Sequence, residues 1–456
     1  MTIKSYIESN KQKFIDELSD VLRIPSVSAK PEHAADMQRM AEHLCALLLQ
    51  AGCDRAKIMR TSSHPVVVAN KIISPQLPTV LVYGHYDVQP VEPLDLWKSP
   101  PFEPEIRDGR IYARGANDDK GQVMMHVKAF EYLVSQNALT CNVKFLIEGG
   151  EEIGSPGVKD FCLQNKELLA CDVILISDTG MIDIDIPSIT TGLRGLCYFE
   201  MEVTSANRDL HSGLYGGAVA NPIMVLSKMI AKLVDKKGKI TIPGFYDDVD
   251  VISAGERAAM AKAPFDAGKY KESIDAKELT GEDGYSTPER TGIRPSLDVC
   301  GIWGGYTGEG SKTVLPAKAY AKISTRLVPH QNPREIERLF EQYILSIAPP
   351  EVSVKVTIMH GGKPYVSPVE STAYRAASKA MADVYGTDPI PVRSGGSIPI
   401  VSDFEEVLNA KSILMGFGLD IDAIHSPNES FSLVQFFRGI ECISNFYSYF
   451  AELSKE

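Results

Sequence analysis

The spacing of apolar and polar positions changes along the chain and predicts three stretches of different structure. In the first, which ends at about residue 185, amphipathic helical patterns alternate with short, wholly apolar runs. The apolar runs are 65–69, 80–83, 143–147 and 173–176. Strands this apolar are usually buried on both faces, so this stretch predicts a mainly parallel sheet covered by helices.

The second stretch, about residues 192–362, predicts the order strand, helix, strand, strand, helix, strand. These elements are expected at 196–204, 219–234, 296–302, 319–327, 333–347 and 352–359. The last strand alternates between apolar and polar residues, which predicts one face in water. This order is typical of a ferredoxin-like α+β fold, and a polar stretch at 243–292 interrupts it as a surface insertion.

After residue 362 the α/β pattern resumes, with helices and strands at 371–385, 390–393, 398–408 and 412–416 and a long terminal helix. A chain of 456 residues is long enough for two structural units. We therefore predict an α/β fold class. One domain with a mainly parallel sheet covered by helices, formed by 1–191 and 367–456, is interrupted by an inserted ferredoxin-like α+β domain at 192–366.

Composition narrows the class of function. The hydrophobic share is 44% and the charged share is 23%, which are ordinary values for a globular protein. The net charge of −12 argues against a nucleic-acid partner, because phosphate binding needs a concentrated basic surface.

The cysteines and the N-terminus bear on location. None of the eight cysteines forms a pair with the two-residue spacing of a zinc knuckle or redox motif, so we interpret them as free thiols in a reducing compartment. Residues 1–29 resemble an amphipathic helix and not a signal peptide. No apolar run is long enough to cross a bilayer, so we expect a cytoplasmic protein without a membrane partner.

Ionisable side chains recur where the predicted strands end. They are His85, Asp87, Asp118, Glu151, Glu152, Asp178 and His425. Ligands of open α/β sheets gather just beyond the carboxyl ends of the strands. A single His or Asp in a loop is usually only solvated or hydrogen-bonded. Together, however, these residues bring two imidazoles and several carboxylates to one edge, where like charges repel unless cations neutralise them.

Imidazole and carboxylate ligands without thiolate suit zinc, manganese or cobalt, and a carboxylate can bridge two such ions. Paired ions sit about 3.5–4 Å apart and activate a bridging water. Asp87 is suited to orient the imidazole of His85. Of the adjacent Glu151 and Glu152, one can bind metal while the other takes a proton from water and passes it to a leaving amine.

Four segments resemble the motifs of the co-catalytic zinc peptidases. They are Gly84-His85-Tyr86-Asp87, Asp118-Asp119-Lys120-Gly121, Glu148-Gly149-Gly150-Glu151-Glu152-Ile153-Gly154-Ser155 and His425-Ser426-Pro427-Asn428-Glu429. That family includes carnosinase and cytosolic non-specific dipeptidase, glutamate carboxypeptidase, aminoacylase, acetylornithine deacetylase and succinyl-diaminopimelate desuccinylase. The motifs keep their order over nearly the whole chain, which is most similar to the carnosinase-type dipeptidases.

The resemblance implies two divalent metal ions per subunit, most commonly zinc, with manganese or cobalt as alternatives. The implied ligands are His85, Asp118, Glu152, Asp178 and His425, with Asp118 as the bridge. The resemblance also implies Glu151 as general base and acid, Asp87 as the orienting carboxylate, and a cis peptide bond between Asp118 and Asp119.

The segment from Asp209 to Gly217 resembles the lid motif of the carnosinase branch. This implies that 192–366 is a lid and dimerisation domain inserted into a catalytic domain, and that His211 acts on the neighbouring subunit's site in a homodimer. Thr313, Arg326 and Ser397 lie in segments that match the same branch. Ser397 begins a predicted helix, whose free N–H groups attract an anion, and Arg326 can bind a carboxylate through two hydrogen bonds.

The expected function is metal-dependent hydrolysis of dipeptides, or of short peptides with a free C-terminal carboxylate. An N-acyl amino-acid amidohydrolase that uses the same site is the alternative. A non-catalytic relative that binds peptides or metals is disfavoured, because every candidate ligand and the candidate base are present. We assign no chemistry to His360, which is predicted to lie in a loop.

Overall fold

The computed structural model describes residues 1–396 and 398–456. Its strands, numbered along the chain, are β1 (Arg55–Met59), β2 (Val66–Lys71), β3 (Thr79–His85), β4 (Glu105–Arg107), β5 (Arg110–Tyr112), β6 (Asn142–Glu148), β7 (Val173–Ile176), β8 (Ser188–Leu193), β9 (Gly195–Thr204), β10 (Leu210–His211), β11 (Ser296–Gly304), β12 (Val314–Leu315), β13 (Lys318–Leu327), β14 (Ser353–Gly362), β15 (Tyr365–Val366), β16 (Ile390–Ser394), β17 (Lys411–Leu414) and β18 (Ser430–Ser432).

The α-helices are α1 (Ile3–Leu22), α2 (Ala34–Gln50), α3 (Lys120–Ser135), α4 (Val158–Gln164), α5 (Lys166–Leu169), α6 (Ser212–Tyr215), α7 (Pro222–Ile230), α8 (Ala254–Met260), α9 (Ala267–Ser273), α10 (Thr287–Gly292), α11 (Pro333–Ile347), α12 (Thr372–Tyr385), α13 (Pro399–Leu408) and α14 (Leu433–Leu453). Within the described ranges, none of these helices combines the length and the apolar character that crossing a membrane requires.

The chain divides into two compact units. The first unit contains Met1–Thr191, Ser367–Val392 and Asp403–Glu456, and the second contains Gly192–Val366 and Arg393–Ser402. Each unit has a hydrophobic core of its own.

The first unit is built on a mixed sheet with the strand order β1-β2-β6-β3-β7-β17-β8. The central strands β6, β3, β7 and β17 are parallel, whereas β1, β2 and β8 are joined antiparallel. On one face Phe145 packs against Phe130 of α3, with ring centroids 5.4 Å apart. On the other face Tyr83 packs against Phe404 of α13 at 4.9 Å. The predicted mainly parallel sheet covered by helices is confirmed.

The register of the parallel strands brings their carboxyl ends to one edge. His85 at the end of β3 lies opposite Glu148 at the end of β6. Leu414 of β17 lies opposite Ile176 of β7. The loops that follow these four strands therefore begin side by side, and those after β6, β7 and β17 carry Glu152, Asp178 and His425, whereas Asp118 lies between β5 and α3.

The second unit contains a four-stranded antiparallel sheet in the order β11-β13-β9-β14. Along β9, buried residues such as Phe199 alternate with half-buried ones, so one face is turned to the helices. Phe199 stacks on Phe340 of α11 with centroids 4.0 Å apart. Since α7 follows β9 and α11 follows β13, the chain order is that of the predicted ferredoxin-like fold.

Two details of the second unit differ from the predicted elements. Helix α7 starts later than predicted, because Asn221 caps it by accepting the backbone N–H groups of Ile223 and Met224. The polar stretch 243–292, which was predicted as a surface insertion without assigned elements, contains the short helices α8, α9 and α10.

Candidate metal centre

The imidazole of His85 is fully buried at the end of β3. Its Nδ1 lies 3.1 Å from the backbone oxygen of Asp87 and 3.3 Å from that residue's Oδ1. Both neighbours of Nδ1 are acceptors, so a ring proton belongs there, and Nε2, which faces Asp118, is the nitrogen that would bind a cation. Glycine is needed at position 84, since a Cβ there would lie 2.6 Å from Oδ2 of Asp119.

Asp118 lies between the two candidate imidazoles. Its Oδ1 is 3.0 Å from Nε2 of His85, and its Oδ2 is 2.8 Å from Nε2 of His425. The peptide bond between Asp118 and Asp119 is cis, as the resemblance implied. The backbone N–H of His85 donates to Oδ2 of Asp119 at 3.1 Å, which links this loop to β3.

The candidate ligands form two groups, in each of which the ligand atoms lie within 4.8 Å of one another. The groups are His85, Asp118 and Asp178, and Asp118, Glu152 and His425. They have Asp118 in common, and imidazole with carboxylate is a donor set that suits zinc, manganese or cobalt. The geometry therefore fits two divalent cations with one bridging carboxylate.

Glu151 and Glu152 begin a 3₁₀ turn, Glu151–Ile153. Their backbone N–H groups donate to Oδ1 and Oδ2 of Asp87 at 3.2 and 3.1 Å. One carboxylate thus orients the imidazole of His85 and also holds this turn. The side chain of Glu152 accepts a 2.7 Å hydrogen bond from Gln89, whereas Glu151 is in neither ligand group of the described residues.

Two of the buried carboxyl groups at this edge, those of Asp178 and Glu151, resist ionisation, because burial raises their pKa values. Burial raises the pKa of Asp178 well above its ordinary value, and the charge of Asp119 adds to the rise. Burial also raises the pKa of Glu151 to about 8, although His85 partly offsets the effect. A site in which several acidic groups can ionise together only beside positive charge fits a pair of divalent cations.

The structure adds one residue that the sequence analysis left without a role. The carboxylate of Glu429 is buried and accepts hydrogen bonds from the loop that carries Asp118. The available signal was its position, since Glu429 closes the motif that begins with His425.

Three of the predicted substrate-binding residues, His211, Thr313 and Arg326, lie in the second unit. His211 at the end of β10 and Thr313 immediately before β12 are both exposed, and these two strands pair antiparallel. Their segments are joined by a 3.1 Å hydrogen bond from the N–H of Ser212 to the backbone oxygen of Thr313. The ring nitrogen Nδ1 of His211 accepts the N–H of Gly213 at 3.0 Å. Ser397 lies outside the described residues.

Arg326 is half-buried on β13, and burial lowers its pKa. His360 is on β14 and not in a loop, which corrects the prediction for that residue. Its ring stacks on Tyr198 with centroids 5.2 Å apart, and burial and the charge of Arg326 lower its pKa. An imidazole whose pKa the charge of Arg326 lowers was therefore not recognised from the sequence.

Known proteins are similar to this chain over almost its full length. Residues 81–448 match the family model described as peptidase family M20/M25/M40. The Beta-Ala-His dipeptidase of Rattus norvegicus is 30% identical over 99% of this chain and 94% of its own length. The Cys-Gly metallodipeptidase dug1 of Schizosaccharomyces pombe is 32% identical, covering 98% of both chains.

A solved structure gives the same picture. The M20 family metallo-carboxypeptidase of Sulfolobus solfataricus is 33% identical and superposes with a TM-score of 0.88. The match covers 96% of this chain and 99% of that protein.

Proposed function

The chain belongs to the peptidase family M20/M25/M40, and from this premise we propose that it is a metal-dependent peptidase that hydrolyses dipeptides, or short peptides with a free C-terminal carboxylate. The observation that carries the proposal is the pair of candidate ligand groups that share Asp118. The relatives named as dipeptidases support the same substrate class.

The residues that would hold two divalent cations are His85, Asp118, Asp178, Glu152 and His425. We propose zinc as the metal, with manganese or cobalt as alternatives that the same donor set suits. When bound, such a pair of cations polarises a carbonyl group and lowers the pKa of a water molecule.

Glu151 is the proposed general base and acid. It takes a proton from the attacking water and delivers it to the nitrogen of the scissile bond, so that the amine leaves uncharged. Its carboxyl group is on the same turn as Glu152 yet belongs to neither candidate ligand group of the described chain, which leaves it free for proton transfer. Asp87 positions both His85 and this turn.

Arg326 and Ser397 are proposed to bind the carboxylate of the substrate. Arg326 supports this role because a guanidinium can hold a carboxylate through two parallel hydrogen bonds. His211 is proposed to act in the neighbouring subunit's site, where it stabilises the developing oxyanion, and Thr313 is proposed to bind the substrate.

We propose a homodimer in which the second unit is the lid and dimerisation domain. The apolar residues around His211 support this, since Leu214 is 77% exposed and Met224 is 59% exposed. Exposed apolar groups of this kind are typical of a surface that another chain covers. All eight cysteines are free, which supports the proposed cytoplasmic location.

The test is an assay of the metal-free protein with added Zn²⁺ or Mn²⁺ on three substrate classes. We expect hydrolysis of unmodified dipeptides such as β-Ala-His and Cys-Gly, and little hydrolysis of amidated dipeptides. Faster hydrolysis of N-acetyl amino acids than of any dipeptide would favour the amidohydrolase alternative. Absence of metal-dependent hydrolysis in every class would contradict the proposal.

A further inference from the structure

The carboxylate of Glu429 has four hydrogen-bond donors. Its Oε2 accepts from Nη1 of Arg114 at 2.8 Å and from the backbone N–H of Gly115 at 2.9 Å. Its Oε1 accepts from the backbone N–H groups of Asn117 and Asp118 at 3.1 and 3.2 Å. An ionised carboxylate offers about four lone-pair sites, so these contacts use all of them.

Glu429 lies where two chain segments meet. Its backbone oxygen accepts the N–H of Ala113 at 3.1 Å. The next residue, Ser430, begins β18, which pairs antiparallel with β5. One of the two segments leads to Asp118 and the other contains His425, so Glu429 ties the shared ligand to a ligand of one group.

Burying the ion pair of Arg114 and Glu429 costs desolvation free energy, so stability alone does not explain why the pair is there. Arg114 and Glu429 are both almost completely buried, and the guanidinium also donates to the backbone oxygen of Pro90 at 3.1 Å. A buried ion pair can often be replaced by apolar side chains without loss of stability. A carboxylate that holds the backbone of a ligand loop can instead orient the ligands, because residues around a metal site fix the orientation of the side chains that bind the metal.

We propose that Glu429 is a positioning residue for the cation pair: by holding the backbone of residues 115–118, it fixes Asp118 relative to His425 and so strengthens cation binding. The inference rests on the proposed function, which supplies the cations. Glu429 is itself in neither candidate ligand group within the described ranges.

The test compares Glu429→Gln with Glu289→Gln. Whichever way the amide introduced by Glu429→Gln is turned, its NH₂ group faces two donors, and the loop must move. Glu289 is a matched control in the second unit, since it is also buried and accepts from Arg257 at 2.5 Å and from the N–H of Ser286 at 2.6 Å. Metal-free preparations of the wild type and both variants are titrated calorimetrically with Zn²⁺ and with Mn²⁺.

We expect Glu429→Gln to weaken cation binding about 10- to 100-fold, as loss of a residue that orients ligands does, and Glu289→Gln to bind as the wild type does. Unchanged affinity in Glu429→Gln, or an equal loss in both variants, would overturn the inference while leaving the proposed function intact. A wild type that binds no cation would overturn both. If Glu429→Gln does not fold, the shorter Glu429→Asp is titrated instead, and wild-type affinity in that variant would also overturn the inference.

Discussion

The candidate ligands of the first unit and the candidate substrate residues of the second unit differ in how complete they are within one chain. His85 is fully buried, and its imidazole has partners on both ring nitrogens. His211 is exposed at the end of the two-residue strand β10, and its Nδ1 accepts the backbone N–H of Gly213. The difference indicates that the candidate ligands are preorganised within one chain, whereas the exposed His211 would need a second chain to complete the proposed substrate site.

The largest expected effect comes from the first unit. Replacing Glu151 with Gln removes the proton acceptor without removing a candidate ligand, so kcat should fall by about 10³-fold or more while metal content stays at two ions per chain. Steady-state kinetics and metal analysis by mass spectrometry check this. The exposed Glu167 of α5 gives the control Glu167→Gln, which should keep wild-type activity. A Glu151→Gln enzyme with most of its activity would refute the role of Glu151.

The next effect tests the second unit. His211→Ala should lower kcat by about 10²–10³-fold, because a donor to the developing oxyanion is lost. The exposed His330, which pairs with Asp250 at 3.2 Å, gives the control His330→Ala and should have little effect. Equal kcat values in the two variants would contradict the proposed role of His211.

The proposed dimer allows a sharper comparison. In a refolded 1:1 mixture of the Glu151→Gln and His211→Ala variants, half of the dimers are mixed, and each mixed dimer contains one site with both residues. Such a mixture should regain about a quarter of wild-type activity. A mixture no more active than its components would show that His211 does not act across a dimer.

A smaller effect is expected at the carboxylate of the substrate. Arg326→Met should raise KM for dipeptides about 10- to 100-fold, since a charge-assisted hydrogen bond contributes about 1.5–3 kcal/mol. KM for amidated dipeptides, which lack the carboxylate, should change little. Arg338→Met, on the exposed face of α11 beside Glu335, is the matched control. The same rise in KM for both substrate classes would point to a folding role for Arg326.

The smallest effect is expected from Gln89, which donates a hydrogen bond to Glu152. Gln89→Ala removes the 2.7 Å hydrogen bond to this candidate ligand. The affinity for the cation held by Asp118, Glu152 and His425 should therefore fall about 10-fold, which is the lower end of the range for losing a residue that orients a metal ligand. Competition with a fluorescent zinc chelator measures this change. No change in affinity would mean that Glu152 is oriented by its other contacts alone.

The sequence predicted most of the fold because buried parallel strands leave an unmistakable apolar pattern, as at Val80–Tyr83. The same pattern showed where those strands end, and the candidate ligands were found there. The roles of these residues stay predictions until they are measured. The apolar pattern predicted only that the ends of the parallel strands converge at one edge of the sheet.

Features that depend on backbone contacts were harder to predict. The alternation of β14 shifts at a bulge between Ile358 and His360, and the strand continues to Gly362, so His360 was mistaken for a loop residue. The residues Arg393–Ser402 group with the second unit, in which Nε of Arg194 donates to the backbone oxygen of Gly395 at 3.1 Å. The spacing of apolar and polar residues does not predict a bulge or a hydrogen bond to a distant backbone oxygen.

Anomalous diffraction at the zinc absorption edge tests the central claim most directly. Crystals of the zinc-loaded protein should show two peaks per chain, one beside His85 and Asp178 and one beside Glu152 and His425, with Asp118 between them. A single peak, or two peaks that do not have Asp118 as a common ligand, would contradict the account.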